Sequence, residues 1–519
     1  MKDITSSIYD FETLIKGGYL YIDKTEYLWN LIRRTGESYF LARPRRFGKS
    51  LTISTLKAVF EGKKELFEGL AISRKNYDWK TYPVIHLSFA DISAGTNTPE
   101  GIKKYLLEKV DAIAAKFSIV VTSDEPGMRL GQMIDELKKI SKVVILVDEY
   151  DKPLIDNIQN LQADLIRNEL SCFYSVLKDR NDALRMLFVT GVTKFSHVSM
   201  FSGFNNPDDI SMRREYATMM GYTQEELEKY FADNIELACK QTGKSREELL
   251  PEIKAWYDGY RFEEKSESVY NPVSVARFFE NNFKFNNYWF STGTPTFLMK
   301  LAQEKNFDIE KTIENPSIGL AFSAFDVDNI DPKTLLLQTG YLTIKDSEVD
   351  LGETLYYLDF PNREVKSSFE TYLLNAYTGI SEEEIGSTVF NLHRAIRTGE
   401  VEHFMDLLKT FFANIRYDVG SKVEGRYQLL FYAIFTLLGV RIDAETVTND
   451  GRIDAVIFTA KSIYLFEFKI DGSAKTAMEQ IIKKEYYQKY KHSGKDIILI
   501  GANFSTKTRQ LTDWKIGKA

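Results

Sequence analysis

A chain of 519 residues with 44% hydrophobic residues and a formal net charge of −7 has material for about two to four domains; it has no overall basic bias, so any nucleic-acid contact falls to local patches. Its two cysteines, Cys172 and Cys239, make neither a disulfide framework nor a C-x-x-C zinc pattern, which fits a reducing compartment. No apolar run reaches the roughly 18 residues of a membrane span, and MKDITSSIYDFETLIKGG lacks the apolar core of a signal peptide; the expected setting is the cytoplasm, without a membrane partner.

Along the first third, strand-like and helix-like runs alternate. SYFLARP reads as a strand and LTISTLKAVFEGKKELF as a helix. PVIHLSFADIS is a second strand and PEGIKKYLLEKVDAIAAKF an amphipathic helix. SKVVILVDEYDKP is an apolar strand ending in acids, LQADLIRNELSCFYSVLKDR a helix, and ALRMLFVTGVTKF a further buried strand. Such alternation predicts a parallel sheet covered on both faces. From Tyr222 the pattern becomes helical, with Thr223 and Ser245 as expected N-caps. A compact helical or winged-helix region follows, then a helix-rich stretch. After Gly425 the order is helix, strand, strand, strand, helix, strand, with a hairpin signal at Asn449-Asp450-Gly451. Expected boundaries give 1–220, 221–345, 346–415 and 416–519.

The strand SYFLARP runs into Arg43-Pro44-Arg45-Arg46-Phe47-Gly48-Lys49-Ser50, followed by Leu51. The last residues are those of a phosphate-binding loop, although the pattern G-x-x-x-x-G-K-[ST] asks for glycine where Arg43 stands. Backbone amides and a helix N-terminus converging on an anion make such a loop work. Lys49 is expected on the outer phosphates and Ser50 on Mg²⁺. The strand VVILV ends in Asp148 and Glu149, an expected Mg²⁺ ligand and an expected water-orienting base. Thr190 and Thr193 end the next strand and are expected beside the γ-phosphate. Arg43, Arg45 and Arg46 read equally well as phosphate contacts or as a solvated basic turn.

The stretches YIDKTEYLWNLI, FLARPRRFGKSL, VVILVDEYDKPL, FVTGVTKFS, WYDGYRF, VYNPVSV and YWFSTGTPTFL resemble the AAA-ATPase-like family common in bacteria. That family typically carries a C-terminal domain of the PD-(D/E)XK nuclease superfamily. The resemblance spans nearly the whole chain and implies an α/β fold: an AAA-like P-loop domain, a helical or winged-helix lid and a nuclease-like α/β domain. It makes Arg43 in the glycine position a family habit, and places Asp23-Lys24-Thr25 near the nucleotide. It implies ATP and Mg²⁺ as cofactors, and some AAA proteins assemble as homo-oligomeric rings. Arg213 and Arg214 are weak arginine-finger candidates and read better as surface charge. Arg261 in WYDGYRF either reaches the nucleotide or belongs to a packed aromatic corner.

A second carboxylate cluster lies in the last third. Asp454 follows the hairpin turn, and SIYLFEFKI carries Glu467 and Lys469, which share one strand face. Two carboxylates and a lysine make a hard oxygen site for a divalent cation with a group to position water. This is the D-x(n)-E-x-K pattern of the same nuclease superfamily, with Ile453 where its name has proline. By resemblance, Glu424 supports the metal and Gln480 belongs to the following helix. The alternative is a solubilising E-x-K face. Tyr486, Tyr487 and Tyr490 read as packing residues, and His86 as a core histidine. The sequence therefore predicts an ATPase coupled to a metal-dependent nuclease-like domain acting on DNA or RNA. Its rival is an ATP-switched signalling or scaffold protein whose nuclease fold only binds.

Overall fold

The computed structural model describes residues 2–92, 96–157, 162–194, 207–289, 313, 315–319, 331–414, 430, 433–435, 437–438, 443–446, 455–505, 507–508 and 510–519. The chain forms two compact units, Met1–Gly293 with Ile309–Glu364, and Thr294–Asp308 with Val365–Ala519. Among the described residues no helix is long and apolar enough to cross a membrane.

The first unit is built on a parallel sheet of β1 (Glu37–Ala42), β2 (Val84–Ser88), β3 (Val143–Asp148), β4 (Leu184–Gly191) and β5 (Asp208–Asp209), in the order β2-β3-β4-β1-β5. Every residue of β3 and β4 is buried, which explains why both are mainly apolar rather than alternating, with Arg185 of β4 donating to the Ile32 and Arg34 carbonyls. The helix Lys49–Phe60 packs on β2 and β3, while Pro99–Lys116, Pro126–Lys138 and Ala163–Ser175 pack against one another. The order puts the strand entering the phosphate loop beside β4, with the acid-bearing β3 next but one. All of them open at their C-terminal ends, where α/β sheets bind ligands.

Among the described residues the rest of this unit carries helices and an antiparallel sheet of β6 (Ser317–Ile318), β7 (Thr343–Asp350) and β8 (Glu353–Asp359). Thr223 and Ser245 cap Gln224–Tyr230 and Arg246–Tyr257, each in a reciprocal capping box with the glutamate three residues on. Asn271 caps Pro272–Glu280, with Pro272 at the first helical position.

The second unit has a mixed sheet of β9 (Asp443–Thr446), β10 (Ala455–Phe458), β11 (Ser462–Ile470), β12 (Asp496–Ser505) and β13 (Gln510–Lys518), in the order β13-β12-β11-β10-β9. Only β11 and β12 run parallel. On one face Phe466, Ile500 and Phe504 meet side chains of Glu382–Thr398 and Val401–Ala413. On the other, Leu465 and Leu499 meet Ile481 of Ala474–Lys483. The helices read from sequence as a linker region thus supply part of this unit's core. Gly501, opposite Glu467 on β12, allows the close approach of the latter helix: a Cβ there would lie 2.5 Å from the Met478 nitrogen.

Candidate nucleotide and metal sites

Gly48 caps the helix Lys49–Phe60 with φ +88°. A side chain there would meet open space but would strain the backbone. Arg46 (φ +68°) and Glu149 (φ +53°) also adopt left-handed backbone, which is unusual for non-glycine residues. The buried Lys49 ammonium donates to the carbonyls of Arg43 and Pro44, both at 2.9 Å, spanning the loop's interior. Burial lowers its pKa, opposed by the charges of Asp148, Asp151 and Glu149.

Asp148, at the end of β3, is buried, and its Oδ1 has no hydrogen-bond partner. A bare buried carboxylate oxygen is costly, and its position suits a cation. Burial raises the pKa of Glu149, and the neighbouring charges of Asp148 and Asp151 push it further. Asp151 is buried and its Oδ2 accepts from the Val192 and Thr193 amides at 2.9 and 2.7 Å and from the Thr193 hydroxyl at 2.7 Å.

Lys49, Glu149 and Asp151 border a cleft of about 590 Å³, also lined by Arg45, Arg46, Gly48, Ser50 and Leu51, whereas Asp148 lies behind its lining. The cleft extends between apolar surfaces from Ile8, Leu20, Ile22, Met219, Met220 and Val273. The phosphate-loop part of the lining is charged and the other part apolar, the mixture that small-molecule pockets use.

In the second unit, Lys469 Nζ donates to Glu467 Oε1 at 2.9 Å. Glu467 is buried and its Oε2 has no hydrogen-bond partner. Burial raises its pKa, and Lys469 and Lys484 oppose the shift. The turn after β11 is braced by Asn503 Oδ1, which accepts from the Gly472 amide at 2.8 Å, and by Asp513 Oδ2, which accepts from the Ala474 amide at 3.0 Å. Gln480 is half-buried on Ala474–Lys483. Asp454 and Glu424, the remaining expected members of this site, lie outside the described residues.

A family model for predicted AAA-ATPases matches residues 5–201, and one for the PD-(D/E)XK nuclease superfamily matches 422–514. An uncharacterized protein in the vnfD 5′ region of Azotobacter chroococcum mcd 1 is 34% identical over 527 residues, covering 99% of each chain. The chain belongs to the AAA-ATPase-like family with a C-terminal PD-(D/E)XK nuclease superfamily domain.

Within this AAA-ATPase-like fold, three expected ligand contacts take other work. Arg43 is fully buried and donates to the carbonyls of Ala42 (2.9 Å), Ser211 (2.7 Å) and Tyr216 (3.1 Å), with its guanidinium 4.1 Å from the centre of the Phe262 ring. Burial holds its pKa down to about 9. Arg43 therefore anchors the base of the loop. Phe47 turns its ring onto Tyr260 and Phe262, with centroids 4.7 and 5.3 Å away, and also lines the cleft. Thr190 donates to the Leu41 carbonyl at 2.8 Å inside the sheet, so it is Thr193, bonded to Asp151, that sits at the strand end.

Of Asp23-Lys24-Thr25, only Lys24 lines the cleft, donating to Glu226 (2.7 Å) and the Thr218 carbonyl (2.8 Å). Asp23 instead accepts from Thr25 and from the Ala71 amide. Arg261 donates to the Lys345 carbonyl at 2.9 Å and belongs to the aromatic corner. Arg213 pairs with Asp208 and Arg214 is exposed. Sequence reasoning missed Asp151, although its acid falls just after Asp148 and Glu149. It also missed Lys484, Asn503 and Asp513.

Arg43→Ala is expected to destabilise the fold by about 3 kcal/mol, since three carbonyls lose their donor and a cavity opens. Chemical denaturation of the first unit checks it; an unchanged midpoint with weakened nucleotide binding would return Arg43 to phosphate contact.

Proposed function

We propose that the first unit binds ATP with Mg²⁺ and hydrolyses it slowly, and that the second unit is a metal-dependent nuclease acting on DNA or RNA. The observation that carries this reading is the convergence of Lys49, Ser50, Glu149 and Asp151 on one cleft of about 590 Å³ with an apolar far end. The loop amides and Lys49 hold the phosphates. Ser50 and Asp148 hold Mg²⁺, and the unpaired Asp148 oxygen fits that task. Mg²⁺ there neutralises charge on the phosphate oxygens. Glu149 orients the attacking water, and Asp151 fixes the backbone of Thr193 at the neighbouring strand end.

In the second unit, Asp454 and Glu467 hold the metal and Lys469 positions the nucleophile. Glu424 and Gln480 support them. The buried, unpaired Glu467 Oε2 beside Lys469 is what favours a cation there over a solubilising surface.

The test is cleavage of plasmid, single-stranded DNA and RNA with Mg²⁺ or Mn²⁺, with and without ATP, alongside phosphate release from ATP. Nucleic-acid binding without cleavage would assign the second unit to a binding role. ATP hydrolysis has a defined pH sign. Glu149 acts as a base only when ionised, and its pKa is raised. The rate should therefore climb with pH through a midpoint above the ordinary carboxylate range of about 4 to 5. A rate independent of pH across the acid range would remove Glu149 from that role.

A further inference from the structure

Three sequence stretches remain without a task in this reading: VYNPVSV, the Tyr288-Trp289 pair, and WYDGYRF. The structure brings them together behind the phosphate loop. Trp289 donates its indole N–H to the Arg45 carbonyl at 3.1 Å. Its own backbone amide donates to Glu364 Oε1 at 2.7 Å, and the Ser274 hydroxyl donates to Glu364 Oε2, also at 2.7 Å. Glu364 is fully buried, and burial pushes its pKa up to about 8, against hydrogen bonds from the Trp289 amide, the Ser274 hydroxyl and the Tyr288 amide. Tyr260 packs edge-on against both Phe47 and Trp289. Ser274 belongs to the helix Pro272–Glu280, whose first residues, Pro272 and Val273, line the cleft.

We infer that Trp289 is a positioning residue for phosphate binding, holding the Arg45 peptide through its indole N–H, and that Glu364 fixes Trp289 in that place. The inference rests on the nucleotide reading above. In a phosphate loop the anion is held by backbone amides, so a peptide that rotates takes its N–H groups out of register. Arg43 and Phe47 secure the two flanks of the loop from below. Arg45 is exposed between them, and the indole bond restrains its peptide from the lid side. A glycine-rich loop relies on tight turns for this. A loop with arginines and a proline has side chains to accommodate, and the Trp289 bond offsets that.

Trp289→Phe keeps an aromatic ring, smaller than the indole, and removes the N–H. It should weaken both MgATP and inorganic tripolyphosphate, measured as a competitor of ATP, by about five- to tenfold, the worth of one hydrogen bond. Glu364→Ala should cause a similar loss, and Glu364→Gln, whose amide oxygen still accepts from the Trp289 amide while its NH2 can donate to the Ser274 hydroxyl, should restore affinity. Thermal melts of each variant report whether the fold is intact. Wild-type affinity in Trp289→Phe, a loss for ATP that tripolyphosphate does not share, or Glu364→Gln no better than Glu364→Ala would overturn the inference alone. A wild-type protein that binds no MgATP would overturn the nucleotide reading and this inference with it.

Discussion

Glu467→Gln and Lys469→Ala are each expected to cut metal-dependent cleavage by at least about a hundredfold, the loss seen when one preorganised charge partner of a transition state is removed. The expectation follows from an imbalance in the site. Glu467 is buried, offers one oxygen to Lys469 and leaves the other unpaired. A carboxylate in that state raises the free energy of the fold unless a cation completes it. Glu467→Gln should accordingly leave thermal stability in the absence of metal equal to or above that of the wild type, while activity falls. A structural carboxylate would behave in the opposite way, losing stability and keeping activity. The raised pKa of Glu467 adds a sign: metal binding displaces a proton, so affinity should rise with pH through the acid range.

Lys49→Ala has the second large effect. A saturating ligand stabilises a protein by mass action, by about 2.7 kcal/mol at a hundred times its Kd. Wild-type protein should show that gain with MgATP as a raised melting temperature, and Lys49→Ala should show none. The ammonium is bonded to the Arg43 and Pro44 carbonyls and lies among the charges of Asp148, Glu149 and Asp151. Losing it removes a charge-assisted contact to phosphate and leaves three acids without their shared cation. Asp148→Asn separates the two roles: ATP should still stabilise it, but the gain should no longer depend on Mg²⁺.

How much of this could be read from the chain depended on how local each signal was. The Gly48-Lys49-Ser50 turn and the Asp148-Glu149 strand end are set by neighbours in sequence, and each sits where its motif predicts. Arg43 carries the same charge as Arg45, yet it is buried by Ser211, Tyr216 and Phe262, far along the chain, and no local pattern reveals that. Thr190 and Thr193 look alike in sequence. Strand adjacency alone decides that the first bonds to Leu41 inside the sheet and the second to Asp151. The helix Pro126–Lys138 was not anticipated, since its two glycines, Gly127 and Gly131, weaken the helical signal. Trp289 and Glu364 come together only because Arg45, Ser274 and both of them converge from separate parts of the sequence. The pairing of Glu467 with Lys469, by contrast, follows from strand alternation alone.

The most direct test of the account is a calorimetric titration of the intact chain with ATP, in Mg²⁺ and again in EDTA. Binding should saturate at one site per chain and be tighter in Mg²⁺ than in EDTA. Absence of binding in Mg²⁺, or identical binding by Lys49→Ala, would contradict it.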